Sequence, residues 1–130
     1  MHVVSLPFDH PDLLSSLAAM DEAGRDALEF GVIGFDAEQI VRQYNAYESQ
    51  AAGLSPHRVL GQHLFNVVAP CMNNFMVAQR FDDARDSGRA LDASIDYVLT
   101  LRMRPVKVVL RLLAGANGAA MRYVLVQRQL

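Results

Sequence analysis

Hydrophobic spacing divides the chain into a helical N-terminal segment and a longer part that mixes strands with short helices. Leu13, Leu14 and Leu17 recur at helical spacing within residues 11–20, and a second short helix is predicted at residues 21–28. Continuous apolar positions then predict a buried strand at residues 30–35, with a polar turn at 36–39 and a returning strand at 40–44. The pattern predicts an N-terminal cap, residues 1–28, and a core domain, residues 29–130, that opens on a hairpin.

Short helices are predicted in the middle of the chain. One begins within residues 44–48, and another follows Ser55, because proline is favoured at the first helical position that Pro56 would occupy. A longer helix is predicted at residues 75–87 and is closed by Gly88, a residue type common just beyond helix ends. The loop between the second and third of these helices contains Cys71.

Three further strands are predicted near the C-terminus. Apolar and polar residues alternate from residue 91 to residue 102, which is the period of a half-buried strand. Strands at residues 106–113 and 120–127 follow, joined by a turn at residues 115–118. This order predicts an α+β protein with a five-stranded antiparallel sheet, short helices on one face and an N-terminal helical cap, which is the architecture of a PAS fold.

Composition and charge exclude several classes of function. The 130 residues, 52% of them apolar, suit one globular domain, and a net charge of -2 offers no basic surface for nucleic acid or an anionic membrane. The apolar stretch at residues 106–120 contains Lys107 and Arg111 and is shorter than the ~20 residues that span a bilayer. Residues 1–20 lack the pattern of a signal peptide, and the single cysteine forms no internal disulfide, so a cytoplasmic protein is expected.

Three residues are candidates for chemistry: Tyr44, Glu48 and Cys71. Tyr44 and Glu48 are four apart and could share one helical face, although a strand-end aromatic and a solvated glutamate are the more ordinary interpretation. Cys71 follows an apolar run that ends in proline, where a lone cysteine is usually a small buried apolar residue. His63 could serve as a base for a cysteine-dependent enzyme, but no orienting partner is identifiable, and known phosphate-binding, hydrolase and metal motifs are absent from the sequence.

Five segments resemble the photoactive yellow protein family, which consists of blue-light sensors with a PAS fold. They are MDEAGRDALEFGVIGFD, QYNAYES, GQHLFNVVAPC, LRMRPVKV and YVLVQR, and the resemblance runs over essentially the whole chain. A tyrosine, a glutamate four residues later and a VAPC loop form a specific combination among PAS domains. The resemblance implies a photoreceptor and not an enzyme, and it favours a functional Cys71 over an inert thiol.

The resemblance also implies a cofactor and a photocycle. Cys71 would carry 4-hydroxycinnamic acid as a thioester, and Tyr44 and Glu48 would hydrogen-bond its phenolate, with Glu48 protonated at rest. Light would convert the trans bond to cis, after which Glu48 would give its proton to the phenolate. The resulting unpaired carboxylate is expected to favour rearrangement and loosening of the cap before thermal recovery. The chromophore-binding positions implied in addition are Ala52, Leu54, Leu64, Phe65, Ala69, Pro70, Leu99 and Met103, of which Met103 would aid recovery.

Two positions depart from the best-known family members, which have threonine in place of Ala52 and arginine in place of Leu54. Ala52 cannot donate a hydroxyl hydrogen bond, and Leu54 cannot shield the pocket with a cation. A raised chromophore pKa and a shifted absorption maximum or recovery rate are therefore expected, with Arg102 or Arg104 as a partial substitute for the cation. A PAS ligand-binding or interaction module without pigment is the alternative, as is a switch or enzyme based on Cys71. The expected partner is a downstream signalling protein of unknown identity, and the expected state is a monomer or weak homodimer.

Overall fold

A computed structural model of the chain describes residues 6–100, 105–117 and 121–128. Its first two helices are α1, Leu13–Ala19, and α2, Glu22–Asp26. Both are shorter than the predicted segments, and Met20 and Asp21, which lie between them, are extended. The Asp21 side chain accepts a hydrogen bond of 2.8 Å from the Gly24 amide and so caps α2.

The five strands form one antiparallel sheet, which confirms the predicted architecture. They are β1, Gly31–Phe35; β2, Val41–Tyr44; β3, Leu91–Leu99; β4, Val106–Ala114; and β5, Arg122–Arg128. Their order across the sheet is β2-β1-β5-β4-β3. The predicted ends of two strands, residues 101–102 and residue 120, lie outside the described residues, and the division into cap and core domain stays a prediction.

Three helices and two tight turns connect β2 to β3. The helices are α3, Ala46–Ala52; α4, Pro56–Val59; and α5, Ala78–Ser87. Between α4 and α5 lie a π-helical turn, Leu64–Val68, and a 3₁₀ turn, Pro70–Met72, which contains Cys71. No helix in the described ranges is long and apolar enough to cross a membrane.

Two predicted helix starts are wrong, and side-chain hydrogen bonds to the backbone explain both. The third helix begins at Ala78 and not at residue 75, because the Asn74 side chain accepts from the amides of Met76 and Val77 and holds a turn there. Tyr44 is the last residue of β2, and α3 begins only after Asn45, whose side chain accepts from the Glu48 amide at 3.1 Å. Tyr44 and Glu48 therefore do not share a helical face.

Each face of the sheet buries its own hydrophobic core, because successive strand residues point to opposite sides. The helix-side core includes Phe35, Phe65 and Phe81, and Phe35 makes edge-to-face contacts with the other two rings at centroid distances of 5.6 and 5.0 Å. On the opposite face, the cap-side core packs Leu13 and Leu17 of α1 against sheet residues such as Leu125. The sheet thus lies between α1 of the cap and the candidate site on the helix side.

Candidate functional site

Glu48 is a fully buried acidic residue at the start of α3, with only 2% of its surface exposed. Asn45 fixes this helix start: its side-chain oxygen accepts from the amides of Glu48 and Val32, at 3.1 and 2.9 Å. The Glu48 carboxyl lies directly against Gly31 of β1, and a Cβ atom at position 31 would overlap its Oε1 atom. A glycine at this strand position is therefore what makes room for the carboxyl beneath the helix.

Arg128, the last residue of β5, binds the Glu48 carboxyl through both of its oxygens. Nη1 lies 2.7 Å from Oε1, and Nη2 lies 3.0 Å from Oε2, a bidentate arrangement. Burial raises the pKa of Glu48, and the hydrogen bonds and charge of Arg128 oppose that rise without cancelling it. Burial acts to lower the pKa of Arg128, but the hydrogen bonds and the charge of Glu48, with smaller contributions from Tyr47 and Tyr44, together outweigh it and raise that pKa, so the guanidinium stays charged. Sequence pattern did not single out Arg128 as a site residue.

Tyr44 is buried at the end of β2 and belongs to the helix-side core. Its strand partner is Ile33 of β1, two residues beyond Gly31, so the strand end that carries Tyr44 lies close to the place where Glu48 packs. The two residues therefore reach one region of the molecule from different elements, a strand end and a helix start. The shared helical face on which the sequence prediction paired them is absent, and their convergence on one ligand stays a prediction.

Cys71 lies half-buried in the 3₁₀ turn and packs against the helix-side core. The Tyr97 hydroxyl donates a hydrogen bond of 2.5 Å to the Cys71 carbonyl oxygen. The Asn74 amide nitrogen donates to the Tyr97 hydroxyl oxygen at 2.6 Å and to the same Cys71 carbonyl at 3.2 Å. Tyr97 and Asn74 thus hold the backbone of the cysteine loop. Sequence reasoning assigned them no role, although the alternation of β3 does place Tyr97 on the inner face.

A cavity of about 690 Å³ lies beside the cysteine loop. Tyr97 connects the two, because its side chain lines the cavity and its hydroxyl binds the Cys71 carbonyl. Among the described residues, Met76, Asp96, Val98, Lys107 and Val108 also line the cavity. A space of this size is in the range of ordinary small-molecule pockets.

The other sequence-predicted binding positions fall into three groups. Four are buried in the same helix-side core as Tyr44: Leu64, Phe65, Ala69 and Leu99. Leu54 is half-buried and packs against that core, Ala52 is buried at the end of α3, and Pro70 is exposed at the start of the 3₁₀ turn. Met103, Arg102 and Arg104 lie outside the described residues.

Comparison with solved structures identifies the fold class of the chain. The chain superimposes on the PAS domain of nitrogen regulation protein NR(II) from Vibrio parahaemolyticus with a TM-score of 0.59 at 15% identity, over 83% of this chain and 96% of that one. At this identity the likeness establishes the fold, which is that of a PAS domain. A second structure is more similar: the photoactive yellow protein domain from the sensor histidine kinase Ppr of Rhodospirillum centenum. Its TM-score is 0.78 at 34% identity, with 87% of this chain and 97% of that domain covered.

Curated relatives then define the family. Photoactive yellow protein from Rhodothalassium salexigens is 32% identical over 113 residues, which are 87% of this chain and 90% of that protein. Photoactive yellow protein from Halochromatium salexigens is 37% identical over 101 residues, covering 78% and 80% of the two chains. No family model matches the chain. On the strength of these relatives, the chain belongs to the photoactive yellow protein family, as its sequence motifs predicted.

Proposed function

We propose that this protein is a blue-light photoreceptor whose Cys71 carries 4-hydroxycinnamic acid as a thioester. The observation that supports this best is the buried carboxyl of Glu48, 2% exposed, on the face of the sheet against which Cys71 also packs. A carboxyl group is rarely buried so fully unless it has a partner or a function. Membership of the photoactive yellow protein family supports a photoreceptor and implies a chromophore.

The side chains present fit a phenolic thioester. Cys71 offers a half-buried thiol that a reagent can reach, while Tyr44 and Glu48 offer a buried hydroxyl and a buried carboxyl. Loading requires the Cys71 thiolate to attack the carbonyl carbon of an activated acyl group, so that a C–S bond forms while the leaving group departs. The thiol proton goes to solvent. The hydrogen bonds from Tyr97 and Asn74 hold the loop backbone in place for this reaction.

Glu48 and Tyr44 would bind the phenolic oxygen. A buried phenolate is costly without donors, and a tyrosine hydroxyl and a protonated carboxylic acid each donate a charge-assisted hydrogen bond to it. When bound, the cofactor supplies a light-driven trans-to-cis isomerisation. Glu48 would then give its proton to the phenolic oxygen and become a carboxylate.

The expectation that this carboxylate would be unpaired needs correction. Arg128 contacts both Glu48 oxygens at 2.7 and 3.0 Å, so a carboxylate at this position has a counter-ion. The ionised state therefore costs less than that of an isolated buried carboxylate. Rearrangement would then arise from the altered position and charge of Glu48, and not from an unpaired charge.

Asn45 provides a route from Glu48 to the cap. Its amide nitrogen donates to the carbonyls of Arg25 in α2 and Phe30, at 3.0 and 2.9 Å, while its oxygen accepts from the Glu48 amide. Displacement of the α3 start would strain these hydrogen bonds and loosen the cap. A downstream signalling protein would recognise the changed surface, by analogy with the histidine kinase that contains the related domain.

One observation favours a second function, a PAS ligand-binding or interaction module without pigment. Arg128 binds both oxygens of the Glu48 carboxyl, so this buried group has a hydrogen-bonding partner and a counter-ion without any chromophore. The cavity beside Tyr97 could accommodate a small molecule other than 4-hydroxycinnamic acid.

Incubation of the purified protein with the anhydride of 4-hydroxycinnamic acid separates these functions. A photoreceptor gives a yellow adduct that bleaches in blue light and recovers in the dark, and mass spectrometry places the added mass on Cys71. The matched control, Cys71→Ala, stays colourless. A protein that forms no adduct, or an adduct that does not bleach, contradicts the proposal and favours the pigment-free module, whereas thiol-dependent turnover favours an enzyme.

A further inference from the structure

The pairing of Glu48 with Arg128 joins two elements far apart in sequence. Glu48 lies at the start of α3, and Arg128 ends β5, the central strand of the sheet. The side chain of Glu48 is 3% exposed and that of Arg128 is 14% exposed, so water contributes little to the solvation of either charge. A pair of this kind is strongly coupled, because removal of one partner leaves the other buried and uncompensated.

Strand register explains how the pair forms. Gly31 of β1 is paired with Val126 of β5, so Arg128 lies two residues farther along on the same face. Glu48 packs over the bare Gly31 backbone, with its Cδ only 3.0 Å from the position of a Cβ there. The carboxyl can therefore reach past β1 to the guanidinium at the end of β5. A side chain at position 31 would block this approach.

Other ionisable groups surround the pair. Tyr44 from β2 and Tyr47 from α3 act electrostatically on Arg128. From α2, the Asp26 carboxylate accepts a hydrogen bond of 2.8 Å from the amide of Ala46, at the exposed side of the same helix start. The Arg128 guanidinium donates two hydrogen bonds to the Glu48 carboxyl.

We propose that Arg128 is a positioning residue that serves as the counter-ion of Glu48, so that the carboxylate keeps a partner after its proton passes to the chromophore. This inference rests on the proposed function and assigns a further residue to the same site. In the proton transfer, the Glu48 O–H bond breaks and the phenol O–H bond forms, so negative charge moves from the phenolic oxygen to the carboxylate. Arg128 stabilises the carboxylate through two charge-assisted hydrogen bonds.

The chromophore-free protein provides the first test. With ¹³C labelling of glutamate carboxyls, an NMR titration measures the pKa of Glu48 in the wild type, Arg128→Gln and Arg128→Lys. An opposite charge in contact lowers a carboxyl pKa by about 1–3 units, so Arg128→Gln should raise the Glu48 pKa by about that amount. Arg128→Lys should give an intermediate value, because lysine keeps the charge but not the bidentate geometry. Should Arg128→Gln fail to fold, Arg128→Lys carries the test: an unchanged Glu48 pKa in that variant would overturn the proposal that Arg128 stabilises the carboxylate through two charge-assisted hydrogen bonds.

Arg42 provides a matched control for these variants. It is also an arginine in an ion pair, with Asp36 at 2.8 Å, but its side chain is exposed and it does not contact Glu48. Arg42→Gln should leave the Glu48 titration unchanged. An unchanged Glu48 pKa in Arg128→Gln, or an equal shift in Arg42→Gln, would overturn the counter-ion role.

The loaded protein provides the second test. Infrared difference spectra report the loss of the carbonyl band of protonated Glu48 when the pigment bleaches. A rise of one unit in the Glu48 pKa reduces the ratio of ionised to protonated carboxyl about tenfold. Arg128→Gln should therefore retain most of this band after bleaching, and Arg128→Lys should lose more of it; equal loss in all three proteins would contradict the proposal. If no yellow adduct forms, the photoreceptor function fails, and the titration of the chromophore-free protein still decides whether Arg128 is the counter-ion of Glu48.

Discussion

Arg111 is expected to be the main polar attachment of the N-terminal cap to the sheet. It projects from β4 on the cap side, and its side chain is only 6% exposed. Nη1 donates to the carbonyls of Phe8 and His10 at 2.9 and 2.8 Å, while Nε and Nη2 bind the two oxygens of Asp92 at 2.9 and 2.8 Å. Substitution of Arg111 by methionine keeps much of the side-chain length and removes all four hydrogen bonds.

The magnitude of the loss depends on which acceptors can be rehydrated. The Asp92 side chain is 53% exposed, so its carboxylate regains water and the ion pair contributes only about 0–1 kcal/mol. The carbonyl of Phe8, by contrast, accepts a buried hydrogen bond from a charged donor, worth about 1.5–3 kcal/mol. With a smaller contribution from His10, Arg111→Met should reduce the free energy of unfolding by about 2–4 kcal/mol. For a chain of 130 residues this corresponds to a fall in Tm of roughly 10 °C.

Urea denaturation measures the stability loss, and hydrogen exchange at residues 6–28 measures the opening of the cap. Arg42→Met is the matched control, because Arg42 is an exposed arginine in an ion pair and should contribute less than about 1 kcal/mol. Asp92→Asn should also cost less than about 1 kcal/mol, since Arg111 keeps its two carbonyl acceptors. Equal losses in the two arginine variants, or unchanged exchange in the cap of Arg111→Met, would refute the assignment.

Three other substitutions or conditions test the site and the cap. Gly31→Ala should reduce the free energy of unfolding, measured by urea denaturation, by about 1–3 kcal/mol, because the alanine methyl group would overlap the Glu48 carboxyl and displace it. A stability equal to that of the wild type would show that the carboxyl does not need a bare backbone at position 31. Tyr97→Phe removes the hydrogen bond to the Cys71 carbonyl and should reduce the free energy of unfolding by about 0.5–1.5 kcal/mol. It should also speed the reaction of the Cys71 thiol with a small disulfide reagent. An unchanged labelling rate would count against the role of Tyr97 in holding the loop. Acid should remove the contribution of Asp92 to stability, because hydrogen bonds with the Arg111 guanidinium lower the pKa of Asp92 in the folded protein. This stabilisation is complete above the unfolded-state pKa of about 3.9 and is lost as the pH falls through the lower folded-state pKa. Urea titrations across that range should show a smaller loss in Asp92→Asn than in the wild type.

Strand positions were predictable from the sequence because their physical signal is local. Residues 91–97 alternate between apolar and polar types, and β3 shows the matching alternation of inward and outward positions. Glycine at position 88 likewise marked the end of α5, where it adopts a φ of 70° that other residues rarely adopt. Starts of helices were predicted less well, because Asn45 and Asn74 bind backbone amides and shift the first helical residue.

Arg128 could not be identified as a partner of Glu48 from local pattern. The two residues are separated by 80 positions, and their contact depends on the register between β1 and β5 and on the missing side chain of Gly31. The Tyr97 contact with the Cys71 carbonyl depends in the same way on where β3 passes the cysteine loop. Contacts of this type are set by tertiary packing, and no spacing rule within one element encodes them.

Polar contacts hold the cap at the start of α3 and at Arg111 of β4, in addition to the packing of α1 against the sheet, and this arrangement constrains how Glu48 could release the cap. Asn45 connects the Glu48 helix to Arg25 and Phe30 on one side, whereas Arg111 binds Phe8 and His10 at the opposite end of the cap. A change in the charge or position of Glu48 acts directly on the first attachment, through the Asn45 cap of α3. It does not contact the second, which lies on the other face of the sheet. We therefore expect α2 to loosen before residues 8–10. Loss of the Arg111 hydrogen bonds to Phe8 and His10 should extend this opening to the whole cap.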